Sequence, residues 1–379
     1  MKIIIDENII FAKEAFSPYG NVILKSGREI TKSLVKDADA LITRSITQIN
    51  SNLLSGSRVQ FIGTATIGID HVNTDYLKKE GIGFANAAGC NSQAVAEYVF
   101  TALTYISQTK QIPLLDKTIG VIGAGNIGSK VVKMSKALGL KVLINDPPLQ
   151  RKTKENIYCS LKEALTADII TLHVPITYSG IDKTFHLIDE KQLTQIKKDT
   201  IFLNSSRGPV VNNKTMIKIL KSKNLTTIFD VWENEPEIST TLLSKVDIGT
   251  PHIAGYSFEG KVNGTKMIYD AFCKFFNLEL SWNPNLPEIS NKGIEINIVD
   301  SIENALYQIF KKVYPINEDS NQLKKMVGLP KEMQSKYFDK LRKEYRLRRE
   351  LSNYTVILPS RNRSIKEMLQ NFGLNIIEK

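Results

Sequence analysis

The sequence predicts an α/β protein built from two doubly wound parallel sheets, followed by a smaller C-terminal α+β unit. Three observations carry this. Apolar runs of strand length alternate with helix-period segments through the first three quarters of the chain. The alternation restarts at a strand that enters a glycine turn, KTIGVIGAGNIG (117–128). After Trp282 a Pro/Asn stretch, NPNLPE, changes the texture of the chain.

In order, the first set of strands is KIIID, NVILK, ALITRS, FIGTATIG and GIGFANA, each bounded by Gly, Asn or Asp. Ser92 to Lys110 reads as one long apolar-periodic helix, long enough to bridge two domains. The second set is KTIGVIG, KVLIND, DIITLHV, TIFLNSS, LTTIFDV and DIGTPHI. The last region, 286–379, contains a helix near Ile302–Tyr314, a highly charged helix over Lys331–Leu351 and one clean strand, YTVILP.

Composition narrows the function classes. The 379 residues are 42% hydrophobic and 23% charged, which is ordinary globular material for two or three domains. No run approaches the ~20 apolar residues of a membrane span. MKIIIDENII reads as a first strand and not as a signal peptide, since acids follow its short apolar run at once. Cys90, Cys159 and Cys273 are far apart and fit no metal-ligand spacing, so free thiols in a reducing cytoplasm and no metal are expected. The net charge is +11. Residues 286–379 hold 17 Lys and Arg against 12 Asp and Glu, a surplus of 5, which leaves 6 for the rest. A surplus spread this way attracts anionic substrates more readily than it builds a nucleic-acid surface, and no recognition helix or aromatic platform accompanies it.

The glycine turn carries the first chemistry. Gly123, Gly125 and Gly128 form GxGxxG between a strand and a helix, as a Rossmann-like dinucleotide site requires. The first glycine makes the turn, the second lets backbone approach a pyrophosphate, and the third allows close packing. Asn126 and Ile127 lie in the turn. Asp146 ends the next strand, 18 residues after Gly128. A carboxylate there accepts hydrogen bonds from ribose hydroxyls and repels a 2′-phosphate, which favours NAD over NADP.

Four histidines offer a general base. His71 suits a turn, His173 ends a strand at the sheet's carboxyl edge, and His186 reads as structural. His252, in TPHIAGYS, is flanked by small residues that allow close approach of a ligand. Arg207 follows the strand TIFLN in NSSRG, where a guanidinium fork can capture a carboxylate or else form a surface ion pair. Asp230-Val-Trp-Glu-Asn-Glu235-Pro places several acids at another strand end. One of them within reach of His252 would orient the ring and stabilise its protonated form.

GAGNIG with Asp146, the NSSRG arginine, the DVWENEP acid and the TPHIAG histidine, in that order, resemble the D-isomer-specific 2-hydroxyacid dehydrogenase family over residues 1–285. The resemblance implies NAD as cofactor, Arg207 on the substrate carboxylate and C2 oxygen, His252 as base and Glu235 as its partner. It also implies a substrate domain (1–95, completed by 255–285) and an NAD-binding domain (96–254). IIIDENI, LITRSIT, FIGTATIGIDHVN, HIAGYSFEGKVNGT and LRKEYRLRRE resemble a branch that acts on a phosphorylated D-2-hydroxy acid. That likeness implies substrate contacts at Ser45, Thr66 and Tyr256, NAD contacts at Asp230 and Gly255, and a homodimer formed through 286–379. Val174, in LHVPI, departs from the polar residue of that branch, so only its backbone would contact NAD. A substrate with two anionic ends needs a second cation besides Arg207. Arg44 is the first candidate, and Arg346, Arg348 and Arg349 of a partner's C-terminal unit are the second. Two competing readings are a 3-phosphoglycerate dehydrogenase-like enzyme and a non-catalytic NAD(H)-sensing co-regulator.

Overall fold

The computed structural model describes residues 1–296, 300–346, 348–359 and 363–378. They form two compact units, residues 1–91 with 257–288, and residues 92–256 with 289–379.

The first unit holds β1 (Lys2–Asp6), β2 (Asn21–Lys25), β3 (Ala40–Thr43), β4 (Phe61–Thr64) and β5 (Gly83–Asn86). All pair in parallel, in the order β2-β1-β3-β4-β5. Successive residues of a strand face opposite sides. Ile3, Ile5, Ala40, Ile42 and Phe61 therefore join one core with Ile268 and Phe272 of the helix Phe258–Phe276. Ile4, Leu41 and Ile62 join a second core on the other face. Burial on both faces is why these strands read as continuous apolar runs.

The second unit contains β6 (Thr118–Ile122), β7 (Lys141–Asn145), β8 (Ile169–Leu172), β9 (Ile201–Asn204), β10 (Thr226–Phe229) and β11 (Ile248–Gly249). Their order is β11-β10-β9-β8-β6-β7, again all parallel, so the chain reverses direction across the sheet at β6. That switch point is where an open α/β sheet presents its ligand crevice. The two faces alternate as in the first unit: Ile169, Ile201, Leu203 and Ile228 pack on one side, Ile170, Phe202 and Phe229 on the other. The helix Ser92–Lys110 spans the residues its periodicity predicts and buries 14 of its 19.

Residues 289–379 are grouped with this second unit. They add β12 (Gly293–Glu295), β13 (Thr355–Leu358) and β14 (Asn375–Glu378), a parallel sheet of order β12-β13-β14. The helix Ile302–Val313 puts Ala305, Leu306, Ile309 and Phe310 into the same core as the helix Ser92–Lys110. The charged helix differs from its expected span: it runs Lys331–Lys343 and stops well short of Leu351. The cause lies in the residues beyond Lys343, where Arg348, Arg349 and Glu350 are buried and Arg346 is drawn to Asp319. Phe338 is its one fully buried residue, packed with Leu323 and Met326. Burying such a ring contributes about 2–3 kcal/mol, which makes Phe338 the anchor of an otherwise polar helix.

Candidate active site

The glycine turn connects β6 to the helix Gly128–Ala137. Gly123 has a φ of +88°, a conformation that L side chains rarely adopt, and a Cβ there would meet His173 O and the Val174 Cγ1. A Cβ on Gly128 would collide with Gly123 O, so the helix sits tightly on the turn. Gly125 is the opposite case, with open space where its Cβ would lie. Asn126 is exposed and Ile127 half-buried beside it. Asp146 accepts from the Ala124 N–H (2.8 Å) and the Leu149 N–H (3.0 Å), which fixes its half-buried carboxylate against the turn. Open backbone at Gly125, a helix N-terminus and a carboxylate at the end of β7 fit the pyrophosphate and ribose of NAD.

β9 ends in Asn204, whose buried amide organises the loop after it. Its Oδ1 accepts from the Ser206 amide (3.1 Å) and hydroxyl (2.8 Å), and its Nδ2 donates to Arg207 O (3.0 Å). The Arg207 side chain is half-buried and donates to Ser206 O (2.8 Å). A Cβ on Gly208 would strike the Trp232 carbonyl, so only glycine lets this loop lie on the acidic loop after β10.

That acidic loop divides its carboxylates between two histidines. Glu235 Oε2 lies 2.7 Å from His252 Nδ1, and its Oε1 accepts from the Trp232 N–H (2.8 Å). Glu233 instead holds His186 Nε2 (2.6 Å), whose ring stacks on Phe185. The acid against His252, which residue spacing alone leaves open, is therefore Glu235. Burial pushes its carboxyl up, but the His252 charge and hydrogen bond, Arg342 and the Trp232 amide outweigh this and hold it below the usual carboxylate range.

Asp230 is fully enclosed and organises the His252 loop. Its Oδ1 accepts from the Thr250 hydroxyl (2.7 Å) and the Ile253 N–H (2.8 Å), and its Oδ2 from the Ala254 N–H (3.0 Å). Because the Thr250 hydroxyl gives its proton to Asp230, Tyr98 must donate to Thr250 at 2.8 Å, and a buried relay runs from the long helix to the loop. The Asp230 carbonyl also accepts from the His252 N–H (2.7 Å). His252 itself has a φ of +56°. Gly255 is half-buried after Ala254, and Tyr256 packs edge-on to Tyr345 at 5.9 Å.

The remaining histidines do other work. Burial lowers the His173 pKa to about 3, so it stays neutral, with Nε2 on Thr171 at 2.9 Å. His71 binds Thr64 (3.0 Å).

In the first unit, β3 and β4 are neighbours with Thr43 beside Thr64, so Ser45 and Thr66 emerge from adjacent strand ends. Thr66 is held by the Thr64 hydroxyl (2.8 Å) and donates to Gly68 O (3.1 Å). Ser45 is exposed. Arg44 Nε lies 3.2 Å from Asp6 Oδ2.

The second group of candidate cations is engaged elsewhere. Arg346 pairs with Asp319. Arg348 donates to Ala254 O (2.7 Å) and lies 4.1 Å over the Tyr314 ring. Arg349 donates to Asn353 (3.1 Å). The cation that sequence reading missed is Arg342, whose guanidinium sits 5.8 Å from the Tyr256 ring. Its only sequence signal is its place in the LRKEYRLRRE run.

Residues 93–254 match the D-isomer specific 2-hydroxyacid dehydrogenase, NAD binding domain. Residues 286–373 match a domain of unknown function. The chain is 40% identical to the erythronate-4-phosphate dehydrogenase of Proteus mirabilis, with all of both chains aligned. It is 41% identical to that of Escherichia coli, covering all of this chain and 99% of the relative. The chain belongs to the erythronate-4-phosphate dehydrogenase family. Among solved structures, the D-lactate dehydrogenase of Aquifex aeolicus complexed with NAD and lactic acid is similar at a TM-score of 0.59. It is 25% identical, with 73% of this chain and 96% of that one covered. The NAD-bound 3-phosphoglycerate dehydrogenase of Entamoeba histolytica shares the fold at a TM-score of 0.63 and 23% identity, covering 76% and 99%. The chain is thus an NAD-dependent dehydrogenase of the 2-hydroxyacid type. Among the described residues no helix is long and apolar enough to cross a membrane, and no cluster of metal ligands occurs.

Proposed function

We propose that this dehydrogenase oxidises 4-phospho-D-erythronate at C2 to 2-oxo-3-hydroxy-4-phosphobutanoate, a step toward pyridoxal phosphate (vitamin B6). Full-length identity of about two fifths to relatives named for that substrate supports the reading. The observation that carries the chemistry is the 2.7 Å contact between Glu235 and His252 Nδ1. A carboxylate on Nδ1 keeps that nitrogen protonated and leaves the Nε2 lone pair as the proton acceptor. His252 then takes the C2 hydroxyl proton at Nε2, and Glu235 stabilises the imidazolium that forms. Arg207 holds the substrate carboxylate and polarises the C2 oxygen as it becomes a carbonyl. Ser45, Thr66 and Tyr256 are assigned to substrate binding.

NAD, when bound, supplies the hydride acceptor. Gly123, Gly125, Asn126, Ile127 and Gly128 would hold its pyrophosphate and Asp146 its ribose, with Val174 (by its backbone), Asp230 and Gly255 as further contacts. Residues 286–379 are assigned to a homodimer interface. Cys90, Cys159 and Cys273 form no disulfide among the described residues, which suits the reducing cytoplasm.

The test is NADH formation from 4-phospho-D-erythronate set beside 3-phosphoglycerate and D-lactate. Preference for the erythronate ester is expected. Preference for another acid would keep the mechanism and remove the pathway, and NADH binding without any turnover would favour a sensor.

A further inference from the structure

We infer that Arg342, on the last turn of the helix Lys331–Lys343, is the second cation of the active site and binds the phosphate of the substrate. The inference rests on the phosphorylated substrate proposed above. A substrate with a carboxylate at one end and a phosphate at the other presents two anions, and Arg207 can hold one of them.

Arg342 keeps more of its guanidinium uncommitted than Arg346 does, which is tied to a carboxylate. Arg346, Arg348 and Arg349 donate to Asp319, Ala254 and Asn353. Arg342 forms no ion pair with a carboxylate among the described residues: its side chain hydrogen-bonds Tyr256, and its Nε is buried without a hydrogen-bond partner. Its guanidinium carbon lies 5.8 Å from the Tyr256 ring and 6.0 Å from the Phe338 ring. The first ring belongs to a proposed substrate residue. The second is the anchor of its own helix, so the arginine stem is fixed by packing while the head faces the His252 loop.

Glu235 is close enough to act on this charge, yet it does not take up the donors. One of its oxygens is engaged by the Trp232 amide and the other by His252. Burial opposes the Arg342 cation, but Tyr256, Glu235 and Asp230 together favour it. A guanidinium held charged, half-buried and without a carboxylate partner has the planar fork that binds a phosphate dianion in bidentate fashion.

The experiment compares wild type, Arg342→Ala and Arg342→Lys. It reads kcat/KM for 4-phospho-D-erythronate and for unphosphorylated D-erythronate, and the inhibition constant of inorganic phosphate against the phosphorylated substrate. NADH binding and melting temperature report on the fold. The ratio of phosphorylated to unphosphorylated kcat/KM is expected to fall about 100-fold in Arg342→Ala. Inhibition by phosphate should weaken with it. Arg342→Lys keeps the stem and the charge but loses the fork, so an intermediate fall in the ratio is expected even if truncation loosens the helix. Equal losses on both substrates, with phosphate inhibition unchanged, would overturn the inference and make Arg342 a residue that positions Glu235 or Tyr256. A wild type without preference for the phosphorylated acid would overturn the proposed reaction itself, which is a separate outcome.

Discussion

Asp230→Asn distinguishes a carboxylate that contacts NAD from one that builds the catalytic loop. In the structure this side chain is 1% exposed and accepts three hydrogen bonds, from Thr250, Ile253 and Ala254. Asparagine keeps one acceptor oxygen, which can still serve Thr250 and Ile253. Its NH₂ group then opposes the Ala254 N–H, so one buried donor loses its partner. That costs about 1–3 kcal/mol. At about 2–4 °C per kcal/mol for a domain of this size, the melting temperature should fall by a few degrees. His252 lies within the disturbed loop, two residues from Ala254, and a shift approaching 1 Å in a reacting group costs about 100-fold in rate. Steady-state kinetics with NAD varied, together with a thermal melt, reads both effects. The expected result is a drop in kcat of about 10- to 100-fold accompanied by the lower melting temperature. A raised KM for NAD with kcat and melting unchanged would refute the loop-building role and leave only a cofactor contact.

Glu235→Gln should lower kcat by about 100-fold or more while NADH titration stays close to wild type, because the imidazolium loses its counter-charge but the glycine turn is untouched. Gly125→Val should melt like wild type, since nothing lies within 4 Å of the added Cβ, yet bind NADH at least about 10-fold more weakly by filling the pyrophosphate space. Glu97, buried against Glu350 and Arg348, has its pKa raised to about 8 by burial first and by Glu350 second. A carboxyl whose folded value is raised stabilises most below the unfolded value of 4.5, and that contribution is lost as pH rises to about 8. Melting temperature should therefore decline across that window, and Glu97→Gln should flatten the decline; a variant with the wild-type slope would show that Glu97 is not its source.

Much of the fold is legible because it is written in local patterns. Residues such as Ile3-Ile4-Ile5 and Ile201-Phe202-Leu203 are buried on alternate faces. A parallel strand with helices on both sides must therefore read as an apolar run. The glycine turn is equally plain, since φ at Gly123 and tight packing at both Gly123 and Gly128 favour glycine. Less legible is whatever depends on distant residues meeting. DVWENEP offers three acids, and no spacing says that Glu235 turns to His252 while Glu233 turns to His186. The Tyr98–Thr250–Asp230 relay joins positions 152 residues apart. The charged helix reads too long in sequence because LRKEYRLRRE keeps a helical composition past Lys343. Tertiary ties at Arg346, Arg348 and Arg349 end the helix there, and composition cannot register them. The same limit hides Arg342, a charge like its neighbours in sequence and distinguished only by what it faces.

The account stands most directly on where the C2 hydrogen goes and which residue removes the hydroxyl proton. Single-turnover reaction of 4-phospho-D-erythronate deuterated at C2, with wild type and His252→Gln, measures both. Wild type should deliver the deuterium into the reduced nicotinamide, and His252→Gln should bind NADH normally but form almost none. NADH formed without the label, or turnover by His252→Gln at the wild-type rate, would contradict hydride transfer from C2 with His252 as the base.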